Sequence, residues 1–424
     1  MGETVNSSYV VEIEGSTSFD NDTTAIIADD ILMDEILPRL PIKSLCRFKL
    51  VCKQWNNFIT HPSHRFAISH HRYASKNLSN PAYFFNERTE RVVSIRDDPH
   101  HHFKMSNPTF IDQFYEIRGS EKCFRCIRGS NNGLLFGLFA DRDIFICNPI
   151  TKHVDHVPNP NPESESSFYI ALLFNTHKYP YSGFKIVAMN NKNFDDSWLG
   201  FVVYYSKNKE WRQSDAVVQV IPSESEERIR PNSPIFAGGK VYWSYVRHIV
   251  WFDVEKDQAG SIECPGKDNL IFVHGLYCYS EIGVCDGELS YSKATNEGNI
   301  EIWLLKSKSG DYVGLEFEWV KIFNLSLEEI FQENWNVVSK FFWTRKSRTP
   351  KKAAEFSTKK RAILPLPCLD KEVVWFRMHF GLKEYCRNGK LFYINIRSRE
   401  LKVLDGDFSF PQYLFSPSFL SCPT

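Results

Sequence analysis

The chain has 424 residues, of which 42% are hydrophobic, so it is long enough for more than one domain and can fill a packed core. Lysine plus arginine and aspartate plus glutamate both number 51, and this balance gives no general charge for binding nucleic acid or a membrane surface. Eleven cysteines without an apolar leader, and no apolar run near about 18 residues, predict reduced thiols in a cytoplasmic and/or nuclear protein with no membrane span.

Residues 1–24 are polar, acidic and rich in serine and threonine, so we expect a disordered tail. The next segment, residues 28–59, contains three short apolar patterns with helical spacing. Pro38 predicts that the first helix ends or kinks near Leu37, because proline has no N–H to donate to the preceding turn. The second pattern opens after Pro41, and proline is favoured at a first helical position. The apolar residues of the three patterns are Leu32, Met33, Ile36, Leu37 and Leu40; Ile42, Leu45, Phe48 and Cys52; and Val51, Trp55, Phe58 and Ile59.

These helices have an excess of apolar surface. Isolated helices below about 12–15 residues are marginal in water, so the three patterns need tertiary contacts. They carry more large apolar side chains than three such helices can bury among themselves. Two interpretations follow from the spacing: the helices cap the rest of this chain, or they bind another protein.

The run RLPIKSLCRFKLVCKQWNNFI, residues 39–59, resembles the F-box of plant F-box proteins. The Leu-Pro pair that usually opens this motif is absent, and residues 27–29 occupy its place. The resemblance implies an F-box over residues 25–72 that docks onto the SKP-type adaptor, and through it the cullin, of an SCF ubiquitin ligase. Phe58 and Trp55 alternatively hold the three helices together. The candidate adaptor-binding residues are Leu32, Ile36, Leu40, Pro41, Leu45, Phe48, Val51 and Trp55.

Residues 80–420 have the composition and spacing of a β domain. Short apolar and aromatic runs begin at residues 82, 144, 202, 250, 302 and 391, and each ends at polar turn residues. A unit of about 45–60 residues made of roughly four short strands is typical of a β-propeller blade. We therefore predict a mainly β protein with a small N-terminal α domain and a β-propeller-like domain of six to eight blades. The irregular spacing leaves a β-sandwich as the alternative.

Four segments of this domain are similar to the plant F-box-associated interaction domain. The resemblance implies that residues 80–420 recruit a protein target, which the sequence does not identify. The similar segments are residues 130–135, 146–152, 239–243 and 300–305.

Residues 345–361 interrupt the strand pattern with eight basic residues against the single acidic Glu355. This segment has too little apolar content for a strand, so we predict a disordered loop. The alternative is a nuclear-import signal or a basic contact patch.

The sequence contains few residues in patterns that predict catalysis or metal binding. Cys123 and Cys126 form a single C-x-x-C pair, whereas a structural zinc site needs four ligands. The histidines at 100–102, 153 and 156 lie in turn-like or strand-like sequence and predict no metal site. No phosphate-binding or nucleophile motif is present, so we expect no metal, no cofactor and no enzyme activity.

The predicted function is therefore a substrate receptor that positions a target near the ubiquitin-carrying partner, which is a proximity mechanism. The alternative is a non-catalytic scaffold or regulatory binder that uses the F-box helices without assembling a ligase.

Overall fold

The computed structural model describes the helical N-terminal region and most of the strands that follow. The described residues are 29–61, 65–77, 83–86, 91–94, 102–104, 124–139, 141–148, 150–151, 153–161, 169–174, 183–191, 198–220, 234–245, 248–265, 272–273, 276–277, 280–295, 297–307, 317–339, 363–368, 371–379, 389–404, 412–415 and 420. The two predicted disordered segments, residues 1–24 and 345–361, lie outside them, so neither prediction is tested.

The described part of the N-terminal region, residues 29–61 and 65–77, contains four helical segments. The first changes from α-helix to a π turn and then to a 3₁₀ turn that contains Pro38, which confirms the predicted kink near Leu37. Pro41 is the residue before the second helix and not its first residue. The segments are α1 (Asp29–Ile31, continued by the π turn Leu32–Ile36 and the 3₁₀ turn Leu37–Arg39), α2 (Ile42–Phe48), α3 (Lys53–Ile59) and α4 (Arg65–Asn77).

Strands dominate the rest of the chain. Within the described residues, five four-stranded antiparallel sheets, which we call blades 1 to 5, are each built from consecutive strands. Blade 1 contains β4 (Phe124–Asn131), β5 (Leu134–Phe139), β6 (Ile144–Asn148) and β7 (His153–Val157). Blade 2 contains β8 (Tyr169–Phe174), β9 (Phe184–Asn191), β10 (Trp198–Tyr205) and β11 (Glu210–Gln219). Blade 3 contains β12 (Ile235–Ala237), β13 (Lys240–Tyr245), β14 (His248–Asp253) and β15 (Gln258–Glu263).

Blade 4 contains β18 (Ser280–Cys285), β19 (Glu288–Ala294), β20 (Asn299–Ser307) and β21 (Phe317–Ser326). Blade 5 contains β22 (Ile363–Pro365), β23 (Val373–His379), β24 (Gly389–Asn395) and β25 (Leu401–Leu404). Two short helices, α5 (Leu327–Glu333) and α6 (Trp335–Val338), follow blade 4, and β16 (Phe272–Val273) pairs with β17 (Leu276–Tyr277) between blades 3 and 4.

A sixth four-stranded sheet joins the two ends of the domain, and we call it the closing sheet. Its order is β26 (Gln412–Phe415), β1 (Tyr83–Asn86), β2 (Arg91–Ser94) and β3 (His102–Lys104). First strands of successive sheets contact one another, as β26 does with β4 and β4 with β8, so these strands lie nearest a common axis. This arrangement is a β-propeller, and the alternative of a β-sandwich is wrong. In the part of the chain that the structure describes, the blades built from consecutive strands number five, which is fewer than the predicted six to eight.

Three of the blades share the same turn between their first two strands. The first and second strands of blades 1, 3 and 4 are joined by two residues with positive φ, which are Asn132-Gly133, Gly238-Gly239 and Asp286-Gly287. Positive φ at both positions defines the type I′ turn, whose twist matches that of paired strands.

In blades 1, 3 and 5 the third strand ends at an Asn or Asp whose side chain shapes the next turn. Asn148 Oδ1 accepts hydrogen bonds from the backbone N–H groups of Ile150 and Thr151 at 2.8 and 3.3 Å. Asp253 Oδ1 in blade 3 and Asn395 Oδ1 in blade 5 accept the corresponding pair of bonds. We call these three features the strand-end turns.

The core consists of apolar clusters between neighbouring blades. Phe201 of blade 2 stacks on Phe252 of blade 3 with ring centroids 4.5 Å apart, and Phe376 and Phe392 stack within blade 5. The cluster between blades 1 and 2 continues into the N-terminal helices, and we call it the shared cluster. Helix α5 packs Phe331 against blade 5. Across the described residues, no helix has the length and apolar character needed to cross a bilayer.

Candidate functional site

The N-terminal helices pack around an apolar interior that is part of the shared cluster. Leu45 of α2 is 0% exposed, and Leu37, Ile59 and Phe66 are also buried. Aromatic rings meet edge to face around this interior, with Phe48 and Trp55 at 5.2 Å and Phe58 and Phe66 at 5.5 Å between centroids. These contacts hold α2, α3 and α4 together.

Helix α4 completes the unit, although the sequence patterns did not predict it as a helix. Its buried positions are Phe66, Ala67, His70 and His71. Two of the four are histidines, whereas the periodic pattern that predicts a helix requires apolar residues on the buried face. The only sequence signal is that these four residues share one helical face.

Polar contacts orient α4 against the first helical segment. His70 Nε2 donates to the Leu40 carbonyl oxygen at 3.2 Å, and Arg65 pairs with Asp34 at 2.7 Å. Burial lowers the pKa of His70 to about 4, although its hydrogen bond to the Leu40 carbonyl acts in the opposite direction. The buried imidazole is therefore neutral at pH 7.

The turn between α2 and α3 presents apolar side chains to solvent. Leu50 is 86% exposed and Val51 is 62% exposed, the highest values among the large apolar residues in the described chain, and Ile31 follows at 50%. We call Leu50 and Val51 the apolar turn. Exposing two such side chains side by side is unfavourable in isolation and is typical of a binding surface.

The predicted adaptor-binding residues occupy different environments. Leu45 lies in the interior and is fully buried in this conformation, so its assignment as an adaptor contact stays a prediction. The helical period predicts an apolar position there but does not say which partner covers it. Pro41 and Val51 are exposed, whereas the remaining five, Leu32, Ile36, Leu40, Phe48 and Trp55, are half-buried. The sequence patterns missed Leu50 and Ile31, which stand outside the periodic positions.

The charge around the apolar turn is positive. Between Ile36 and Asn86 the chain contains eight lysines and arginines and no aspartate or glutamate. Arg47 and Lys53 flank the apolar turn and are exposed. A partner that covers this surface would meet apolar side chains with a basic rim.

The residues considered for metal or catalytic chemistry do not converge. His156 Nε2 lies 2.5 Å from Asp143 Oδ2, and His153 Nδ1 lies 3.4 Å from Asp155 Oδ2, so each histidine has its own aspartate in blade 1. Cys126 is in β4, and Cys123 lies outside the described residues. Among the residues that the structure describes, no three His, Cys, Asp or Glu side chains are grouped to hold a metal ion.

Comparison with known proteins identifies both parts of the chain. Residues 29–66 match the F-box domain, and residues 113–363, more than half of the chain, match the F-box associated beta propeller domain. The chain belongs to this family of F-box proteins. Its F-box is the helical unit with the apolar turn, and its propeller is the F-box associated domain.

The relatives are F-box proteins of Arabidopsis thaliana. The F-box protein At5g49610 is 24% identical over 427 residues, which cover 95% of this chain and 98% of that protein. The F-box/kelch-repeat protein At3g23880 is 22% identical and covers 69% of this chain and 78% of that protein. Among solved structures, the β-propeller domain of Cps50 (Swd1) from Myceliophteria thermophila aligns at 9% identity and a TM-score of 0.37, over 78% of this chain and 87% of that one.

Proposed function

We propose that this F-box protein is the substrate-recognition subunit of an SCF ubiquitin ligase. The F-box binds the SKP-type adaptor, and through it the cullin, and the propeller binds a protein target that is then ubiquitinated and degraded. The observation that supports this function best is the apolar turn, Leu50 and Val51, on a folded unit that matches the F-box domain.

The docking surface in this proposal differs from the one that the helical periods indicated. Leu50 and Val51 enter the apolar groove of the adaptor, and the exposed Pro41 and Ile31 extend the contact. Burying apolar surface contributes about 25 cal/mol per Å², so two well-covered aliphatic side chains provide a few kcal/mol. Leu45 contributes indirectly, because it holds α2 in place.

The basic rim adds an electrostatic component to this contact. The F-box carries no acidic residue between Ile36 and Asn86, so the complementary adaptor surface is acidic. Because such charges are exposed and screened by ions, added salt is expected to slow association more than it accelerates dissociation.

The propeller supplies binding and not chemistry in this proposal. Holding the target and the charged conjugating enzyme in one assembly raises the effective concentration of a target lysine near the thioester. The protein acts in the cytoplasm and/or the nucleus and needs no cofactor of its own. The rival function is a scaffold that uses the F-box without forming a ligase.

The first prediction tests the docking surface. A full-length variant with both Leu50→Asp and Val51→Asp should lose adaptor binding roughly a hundredfold, because two carboxylates would have to enter an apolar groove. The matched control is the double variant Val217→Asp and Val320→Asp, which changes two exposed valines of the propeller (39% and 41% exposed).

Adaptor affinity is measured by titration with purified adaptor, and ligase assembly by co-purification of adaptor and cullin. Wild-type affinity in the Leu50/Val51 variant would overturn the docking surface. Adaptor binding without any cullin in the purified complex would favour the scaffold.

A further inference from the structure

The C-terminal segment lies next to the F-box because of the way the propeller closes. Strand β26 pairs with β1 in such a register that Phe415, the last residue of β26, lies opposite Tyr83, the first residue of β1. Helix α4 ends at Asn77, six positions before Tyr83, and Leu420 lies five positions after Phe415. At about 3.3–3.6 Å per residue, both segments remain within roughly 20 Å of the same strand pair.

Leu420 is part of the interior of the molecule. It is 0% exposed and belongs to the shared cluster, which also contains Leu37, Leu45 and Phe66 of the F-box. The same cluster includes residues of blades 1 and 2, and Ile150 of the strand-end turn in blade 1 packs against it. Leu420 is therefore packed where the F-box and the propeller meet.

A hydrogen bond fixes the backbone of Leu420 to blade 1. Asn148 Nδ2 donates to the Leu420 carbonyl oxygen at 2.5 Å, and the Asn148 side chain is buried. The oxygen of the same amide, Oδ1, accepts hydrogen bonds from the two backbone N–H groups of the strand-end turn. One amide group thus shapes the turn and holds the C-terminal segment.

The strand-end turn of blade 3 shows that the oxygen and the NH₂ group of the Asn148 amide have separate roles. Asp253 shapes the turn of blade 3 with a carboxylate, so an NH₂ group is not required there. The NH₂ group of Asn148 donates to the Leu420 carbonyl oxygen, whereas a carboxylate in its place has no donor and would face that oxygen instead.

We propose that Asn148 and Leu420 form a C-terminal clamp that holds the F-box on blade 1 in one orientation. The last described residue of the chain closes the contact between the two domains, although it belongs to neither the F-box nor a blade. If the proposed function is correct, the clamp also sets the direction in which the propeller presents its target relative to the adaptor.

The test uses hydrogen exchange of the full-length protein without any partner, so its outcome does not depend on adaptor binding. In Leu420→Ala, amides of α4 and of the 3₁₀ turn Leu37–Arg39 should exchange about tenfold faster or more, because the shared cluster loses a buried side chain. Asn148→Asp should act in the same direction, because it keeps the turn and removes the donor. Exchange in blades 3 and 4 should stay unchanged in both variants.

The matched control is Asn395→Asp, which makes the same change in the strand-end turn of blade 5 and should leave α4 unchanged. Wild-type exchange of α4 in Asn148→Asp, or equal acceleration in all five blades, would overturn the clamp. If Leu420→Ala does not fold, Asn148→Asp and its control decide the question alone.

Discussion

His70 makes the stability of the F-box depend on pH. Its folded pKa is about 4, below the ordinary value near 6.5, because burial disfavours the imidazolium. The unfolded chain therefore binds more protons between pH 6.5 and pH 4. The stability that His70 contributes is complete above pH 6.5 and is lost as the pH falls through that interval, by roughly 3 kcal/mol in total.

We predict that His70→Gln flattens this acid dependence. Glutamine can still donate to the Leu40 carbonyl oxygen but does not titrate in this range. Urea unfolding of the wild type and the variant between pH 7 and pH 4.5, followed by hydrogen exchange in α4, measures the difference. Parallel curves for the two proteins would show that other groups cause the acid dependence.

At the scale of single residues, the sequence predicts which positions are apolar better than it predicts where they point. Leu45 and Val51 both fit the helical patterns, yet the first is fully buried and the second is exposed. Leu50, the most exposed large apolar residue in the described part of the chain, does not fit a helical period because it lies in a turn. The packing of the helices against one another and within the shared cluster decides which side of each helix remains free.

At the scale of elements, the side chain of Trp251 leaves room only for glycine at position 260 of the neighbouring strand. Gly260 of β15 lies directly opposite Trp251 of β14, and a Cβ atom added to it would come within 2.7 Å of the indole ring. Lys240 Nζ lies 4.2 Å from the centroid of this indole, so a shift of the ring would also disturb that cation–π contact.

We predict that Gly260→Ala lowers the free energy of unfolding by about 1–3 kcal/mol through overpacking. The same substitution in a Trp251→Leu background should cost less, because the smaller side chain leaves room for a methyl group. Urea unfolding of the two single variants and the double variant gives the coupling energy. Additive losses would mean that the indole is not the cause.

The sequence runs that indicated a repeating unit are real elements. The runs that begin at residues 144, 202, 250, 302 and 391 lie in β6, β10, β14, β20 and β24, which are the third strands of blades 1 to 5. They are recognisable because a third strand is buried between its neighbours and ends at a polar turn. Helix α4 was missed because histidines hide its apolar face.

At the scale of the molecule, the closing sheet could not be read from local patterns. It combines β1, β2 and β3 with β26, and more than 300 residues separate β3 from β26 in the chain. A pattern of consecutive strands cannot indicate such a pairing, so local patterns do not show how the ring closes. The domain order, helices before a mainly β propeller, was predictable because the two regions differ in hydrophobic period.

The two ends of the chain contribute differently to the stability of the propeller. Removal of residues 412–424 deletes β26 and leaves the edge of β1 and the adjoining side of β4 without a partner. Removal of residues 1–77 deletes the F-box but leaves β1 and every other strand of the propeller in place. The clusters between blades 2 and 3, 3 and 4, and 4 and 5 contain no F-box residue. We therefore expect the protein without residues 1–77 to unfold in one cooperative transition at a lowered temperature.

The protein without residues 412–424 should instead lose cooperativity, because an open ring lets the end blades unfold first. Calorimetry and far-UV circular dichroism of both truncated proteins, beside the full chain, measure midpoints and widths. A protein without residues 1–77 that cannot fold would assign the F-box helices to the propeller core. A sharp, unshifted transition after removal of residues 412–424 would show that β26 does not close the ring.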